Sequence, residues 1–110
     1  MLLRDAIEGK ILQKNFTTIC NEIDATLLSD YLFEQELLSV NDLQELEAQY
    51  ASTASKSRLL LLKLFNMQAK VFSSLMEWLK NSHDCRLLML HDILKQELQE
   101  YKTAKAIKKS

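Results

Sequence analysis

The residues of this chain that could carry chemistry are few, and three of them are consecutive: His83, Asp84 and Cys85. Together they could belong to a metal site or support a thiol nucleophile. A structural Zn²⁺ takes four ligands, typically as paired Cys and His motifs, and the sequence has no second pair. A catalytic cysteine needs a positioned base and an oxyanion site, which nothing here supplies. We therefore expect no enzyme, no catalytic residue, no metal and no cofactor, with His83 on the surface and Cys85 partly buried.

The composition predicts an all-α fold. The 110 residues suffice for one domain, and they include one glycine and no proline. Antiparallel sheets depend on tight turns rich in glycine, and no Asn-Gly or Asp-Gly pair occurs. Leu, Glu, Gln, Lys and Ala dominate instead, and all of them favour helix.

Apolar residues at helical spacing predict six helices in an antiparallel bundle. Their expected ranges are 3–23, 25–35, 40–49, 55–67, 69–80 and 85–101. The weak helix formers that follow Lys14, from Asn15 onward, predict a bend in the first helix. Asp24 is expected to cap the second helix, and Ser39 with Asp42 to form a capping box at the third.

Three further expectations concern the ends and faces of these helices. The small polar residues Ala51–Ser55 predict a loop, after which Ser55 or Ser57 caps the fourth helix. The second helix is expected to bury Leu27, Leu28, Tyr31 and Leu32. Residues 1–100 are expected to form the domain, and residues 101–110 a polar, lysine-rich tail or the start of a linker.

Several features exclude other classes of partner and location. The net charge of −1 gives no broad basic field, so no nucleic acid is expected as a partner. The longest apolar run, Leu59–Leu62, is too short for insertion into a membrane. Two isolated cysteines, Cys20 and Cys85, favour reduced thiols and a cytoplasmic location.

The charged residues are unevenly distributed along the chain. Between Lys14 and Lys56 there are eight acidic residues and no basic one. From Lys56 to Lys80 five basic residues accompany a single acid, Glu77. Faces of opposite charge would let copies of one domain bind head to tail, forming rings or open filaments. The alternative is that these charges are only the solvated faces of amphipathic helices.

In the order of these elements, the sequence resembles a caspase recruitment domain (CARD), a six-helix member of the death-fold superfamily. The stretches 27–48 and 55–90 carry the resemblance. They contain, in the family's order, an apolar turn, a capped acidic helix, an Arg-Leu-Leu helix, a helix with spaced apolar residues and a leucine pair. The residues in question are Leu37-Leu38, Ser39 to Leu43, Arg58-Leu59-Leu60, Phe72 with Leu75 and Leu79, and Leu87-Leu88.

The resemblance implies a homotypic adaptor module in apoptosis or innate-immune signalling, including inflammasome signalling. Its partners would be other CARD-containing proteins: a caspase, an apoptosome or inflammasome component, or an adaptor. It could also self-assemble into a helical oligomer. A basic patch on the first and fourth helices would bind an acidic patch on the second and third helices of a partner. The matching basic residues are Lys10, Lys14, Arg58 and Lys63, and the matching acidic residues are Asp30, Glu34, Asp42 and Glu45.

Three alternatives remain open at this point. Death-effector domains share the fold, but they carry an Arg-x-Asp-Leu motif in the sixth helix, and residues 83–88 lack that order. The chain could also be an unrelated helical bundle that binds a partner helix in an apolar groove. The third alternative is a regulatory domain of an enzyme.

Overall fold

Every regular element in the computed structural model, which describes residues 1–48 and 52–109, is helical. An isolated antiparallel bridge between Leu2 and Gln68 is the one β-type pairing in those residues. The predicted all-α class is confirmed. A short 3-10 turn, Leu3–Asp5, precedes seven α-helices in the described residues. The helices are α1 Ile7–Lys14, α2 Phe16–Glu22, α3 Ala25–Glu34, α4 Val40–Glu47, α5 Thr53–Phe65, α6 Val71–Lys80 and α7 Cys85–Lys109.

The predicted bend in the first helix is a complete break, which raises the number of helices from six to seven. Asn15 separates α1 from α2, and its side-chain amide donates to the Ile11 carbonyl at 2.9 Å. On the far side of the break Phe16 stacks on Phe65 of α5, with ring centroids 6.3 Å apart. Because of the break, α1 packs mainly against α7 while α2 packs mainly against α5.

Two predicted helix starts are confirmed by their caps. The Asp24 carboxylate accepts the Leu27 amide at 3.0 Å at the start of α3. At α4 the Asp42 amide donates to Ser39 Oγ at 3.1 Å, and the Ser39 amide donates to Asp42 Oδ2 at 3.0 Å. This reciprocal pair is the expected capping box, with Asp42 in place of the usual Glu or Gln.

The predicted start of the fourth helix is wrong. The helix α5 begins at Thr53, because the Ser52 hydroxyl accepts the Ser55 amide at 3.1 Å and caps the helix earlier than expected. Thr53 and Ser55 are therefore helical rather than part of a loop, while Ala51 lies outside the described residues. Ser52, Ser55 and Ser57 are all suitable N-cap residues and lie close together in the sequence. The sequence alone therefore does not show which of them caps the helix.

The hydrophobic core surrounds α5, which packs against α2, α3 and α4. Its Leu60, Leu61 and Leu64 are fully buried. On α3 the buried stripe consists of Leu28 and Leu32, whereas Leu27 is 58% exposed. The predicted burial of Leu28 and Leu32 is confirmed and Tyr31 is half-buried, but the prediction that Leu27 is buried is wrong. The apolar residues of α3 form two stripes offset by one residue, and the core covers the stripe of Leu28 and Leu32.

The last helix is longer than predicted. It reaches Lys109 instead of ending near Tyr101, because no Gly, Pro or strong cap interrupts the good helix formers of this stretch. Among the side chains of α7 that the structure describes, which end at Ala104, Leu94 is the last that is fully buried, and residues 99–104 are all exposed. With 25 residues α7 is about 37 Å long. Neither α7 nor any other described helix combines the length and apolar composition needed to cross a membrane.

The N-terminal segment is held against the connection between α5 and α6. The Leu3 amide donates to the Met67 carbonyl at 2.7 Å, and the Ala69 amide donates to the Met1 carbonyl at 3.0 Å. Leu3 is fully buried, and its carbonyl lies directly over Gly9 of α1. A Cβ atom at Gly9 would lie 1.9 Å from that oxygen, so only glycine allows this approach.

Candidate interaction surface

Three of the charged residues predicted to form two separate patches lie together instead. Lys63 Nζ is 3.0 Å from Asp42 Oδ1 and 2.8 Å from Glu45 Oε2, which ties α5 to α4. The Lys63 side chain is only 16% exposed. The predicted separation of basic from acidic side chains is therefore wrong at these three positions. The packing of α4 on α5 brings them together.

This cluster changes the pKa of two of its members. The pKa of Asp42 lies below its ordinary value, chiefly because the Ser39 amide donates to the carboxylate, with a further contribution from Lys63. The pKa of Lys63 is raised, chiefly by its hydrogen bond to Glu45 and then by Asp42. Both shifts favour the charged forms, so the cluster stabilises the contact between α4 and α5.

Lys14 of the predicted basic patch also has an acidic partner within the chain. Its Nζ lies 3.6 Å from Glu97 Oε1 of α7, and Asn15 Nδ2 donates to Glu97 Oε2 at 2.6 Å. The Lys14 side chain is 74% exposed, so this ion pair is weak and leaves Lys14 accessible to a partner. Glu97 thus holds the break between α1 and α2 against α7.

The other four predicted residues are exposed and form no ion pair within the described part of the chain: Lys10, Arg58, Asp30 and Glu34. Asp30 and Glu34 are spaced i, i+4 on α3 and share one face of that helix. The basic residues are less well gathered. Arg58 lies near Cys20 at one end of the α2–α5 pair, whereas Lys10 is on α1, which packs mainly against α7.

One of the residues that could carry chemistry, Asp84, caps a helix. The Asp84 carboxylate accepts the Arg86 amide at 2.8 Å and so caps α7. Cys85 is exposed, so the prediction that it is partly buried is wrong. Burial raises the pKa of the Cys20 thiol, although Arg58 lowers it in part, and the thiol is therefore a weak nucleophile. Among the side chains that the structure describes, no cluster of three or more His, Cys, Asp or Glu could hold a metal.

A groove that the sequence did not predict lies between α3, α6 and the start of α7. Its volume is about 430 Å³. Its apolar lining consists of Leu27, Tyr31, Trp78 and Leu87, and its acidic lining of Glu22, Asp24 and Asp84. The available signal was a second apolar stripe on α3, since Leu27 and Tyr31 are spaced i, i+4 beside the buried stripe. Burial, with a smaller contribution from Glu77, raises the pKa of Tyr31.

A second exposed apolar surface lies on α7. Met89 is 62% exposed and Ile93 is 43% exposed, and their i, i+4 spacing places them on one face. They line a shallow depression together with Thr18 of α2. Glu22 and Arg86, which have opposite charges, also line this depression, so it lacks the acidic excess of the groove.

No protein-family model, curated protein or solved structure matches this chain at a significant level. The function is therefore inferred from the exposed charges, the groove and the apolar face described above.

Proposed function

We propose that this chain is a homotypic interaction module of the CARD type. It would recruit and assemble signalling partners in apoptosis or innate-immune signalling in the cytoplasm. The observation that carries the proposal is the pair of exposed, opposite charges on different helices. Arg58 of α5 and Lys10 of α1 are the basic residues, and Asp30 and Glu34 of α3 are the acidic ones.

The arrangement of the helices supports a six-helix death fold whose first helix is broken into α1 and α2. The apolar turn Leu37-Leu38 is followed by the capped helix α4, as in the CARD pattern. On α6 the spaced residues Phe72, Leu75 and Leu79 all face the core. These elements occur in the order that the resemblance implies; α4 packs against α3 and α5, and α6 packs against α3 and α7.

The proposed interface is smaller than the eight residues that the sequence indicated. Lys63 pairs with both Asp42 and Glu45 within the chain, so these three residues stabilise the contact of α4 with α5 and are left out of the proposed interface. Arg58, with Lys10 and the accessible Lys14, would contact Asp30 and Glu34 of the next molecule. This contact is heterologous, so repeated association gives a ring or an open helical oligomer.

The mechanism requires no chemistry in the chain itself. Assembly would bring the effectors attached to each copy close together and raise their effective concentration. The partners would be other CARD-containing proteins, among them a caspase, an apoptosome or inflammasome component, or an adaptor. Complementary charge would set the orientation and the rate of encounter more than the affinity.

A charge-exchange experiment tests this proposal. We expect Arg58→Glu alone, and Asp30→Lys alone, to reduce self-association about tenfold or more in light scattering and sedimentation. An equimolar mixture should restore pairing, because the exchanged charges attract again. Asp30 is a better target than Asp42, since Asp42 caps α4 and holds Lys63.

Lys95→Glu on the exposed surface of α7 is the matched control, since it makes the same change of charge away from the interface. It should associate as the wild type does. If both single variants at Arg58 and Asp30 also associate like the wild type, the charge-pairing proposal is wrong.

The competing candidates give different results in the same experiment. An unrelated bundle that binds a partner helix through Met89 and Ile93 would lose binding on truncation of these side chains and would respond little to salt. A death-effector-type module would share the dependence on salt. It would select death-effector rather than CARD partners in a pull-down.

A further inference from the structure

We infer that the basic end of α7 in one molecule binds the acidic-rimmed groove of a second copy. The basic end is defined as residues 99–109. The groove is the cleft lined by Leu27, Tyr31, Trp78 and Leu87. This contact goes beyond the proposed function, because it uses neither Arg58 nor Asp30 and would form whether or not the chain binds CARD partners.

The groove has the chemistry to receive a cationic, partly apolar helix. Leu27, which lines the groove, is 58% exposed, so the groove presents an apolar surface to solvent. The acidic residues Glu22, Asp24 and Asp84 also line the groove. Arg86 lies 3.7 Å from Glu22 and 4.0 Å from Asp84, and one cation among three carboxylates leaves the rim negative. Lys and Arg do not appear among the described residues that line the groove.

The basic end of α7 has the complementary properties. After Glu100 the sequence contains no acidic residue and four lysines: Lys102, Lys105, Lys108 and Lys109. The backbone is helical to Lys109, and residues 99–104 are all exposed. Tyr101 is 40% exposed, and its aromatic ring can pack against the apolar residues that line the groove. This segment therefore extends from the bundle as a preformed cationic helix.

The geometry of α7 determines whether the basic end binds the groove of its own molecule or that of a second copy. The groove lies at the start of α7, where Asp84 and Leu87 line it, and the basic end lies at the other end of the same helix. At 1.5 Å per residue, Leu87 and Lys105 are about 27 Å apart along the axis. A molecule cannot fold its own basic end back into its own groove without breaking α7. The contact must therefore form head to tail between copies.

Trp78 provides a direct readout, because it is the single tryptophan of the chain and lines the groove. We expect its emission to change as the full chain is concentrated, and also when a peptide of residues 99–110 is added to the full chain. Both changes should weaken at high salt, since exposed charges are screened. The matched control peptide carries Gln at the four lysine positions and should bind about tenfold more weakly or worse.

Two variants separate this contact from the CARD-type interface. Leu27→Lys should abolish the response of Trp78 to the peptide, and its exposed position keeps the fold intact. Arg58→Glu should leave that response unchanged. If the wild-type peptide does not alter Trp78 emission, if the Gln peptide has the same effect, or if Leu27→Lys responds as the wild type does, the inference is wrong. Failure of the charge exchange between Arg58 and Asp30 would overturn only the proposed function.

Discussion

At the scale of single residues, Gly9 shows how one missing atom sets the position of a whole segment. The Leu3 carbonyl lies where a Cβ at Gly9 would be, and the fully buried Leu3 side chain depends on this approach. Glycine in the interior of a helix ordinarily weakens it by up to about 1 kcal/mol relative to alanine. The close approach explains why the single glycine of the chain is found inside α1.

Gly9→Ala should therefore destabilise the protein, against the direction of helix propensity. We expect a loss of about 1–3 kcal/mol in the free energy of unfolding, measured by urea denaturation, because the new methyl group displaces the Leu3 carbonyl. Gln13→Ala, on the exposed face of the same helix, should stay within about 0.5 kcal/mol of the wild type. Equal stability of the two variants would contradict the close approach.

At the scale of the elements, α4 and α5 are joined by a polar contact between Asp42 and Lys63, and the pKa of each partner favours its charged form. The lowered pKa of Asp42 means that the folded state prefers the carboxylate. Its contribution to stability is present at neutral pH and is lost as the pH falls through the lowered folded value. The raised pKa of Lys63 matters at alkaline pH. The contribution of Lys63 to stability is lost as the pH rises through the raised pKa of the folded state.

Asp42→Asn should accordingly lower stability by about 1 kcal/mol at neutral pH, since it weakens both the capping box and the contact with Lys63. The difference from the wild type should shrink in strong acid, where Asp42 of the wild type is protonated in both states. Urea midpoints of the two proteins across the acidic range measure this. A difference that stays constant with pH would show that the carboxylate charge is not involved.

How far the sequence predicts these elements depends on the distance over which each interaction acts. The caps at Asp24 and Ser39 involve residues three positions apart, and both were predictable. Lys63 and Asp42 are 21 positions apart, so their contact depends on how α4 packs on α5. Both apolar stripes on α3 were expected to be buried, and Leu27 is exposed because the neighbouring helices cover mainly the stripe of Leu28 and Leu32.

At the scale of the whole molecule, α7 extends beyond the bundle that it helps to form. The longest dimension of the molecule is 50 Å, against 31 and 24 Å in the other directions, and this helix accounts for the difference. Up to residue 104, where the described side chains end, Leu94 is the last residue of α7 that is fully buried and Glu97 the last that forms an ion pair with α1. A domain boundary near residue 100 therefore stays a prediction, although the backbone is helical beyond it.

Removal of residues 102–110 tests this boundary. We expect the free energy of unfolding to stay within about 0.5 kcal/mol of the wild type, because residues 99–104 are exposed. Ending the chain at Ile93 removes Leu94 and Glu97, and it should cost about 2–5 kcal/mol or prevent folding. Thermal unfolding of both truncations measures the difference. A large loss in the shorter deletion would place the boundary beyond Tyr101.

The contact of α1 with α7 joins the first and last helices of the bundle, which has a consequence for synthesis. As a nascent chain leaves the ribosome, α1 emerges before α7, the helix that covers it. Until then Ile11, which lines the seam with Glu97 and Tyr101, has no cover from α7. The growing polypeptide thus carries an uncovered apolar surface from the synthesis of α1 until α7 has been made and packs against it.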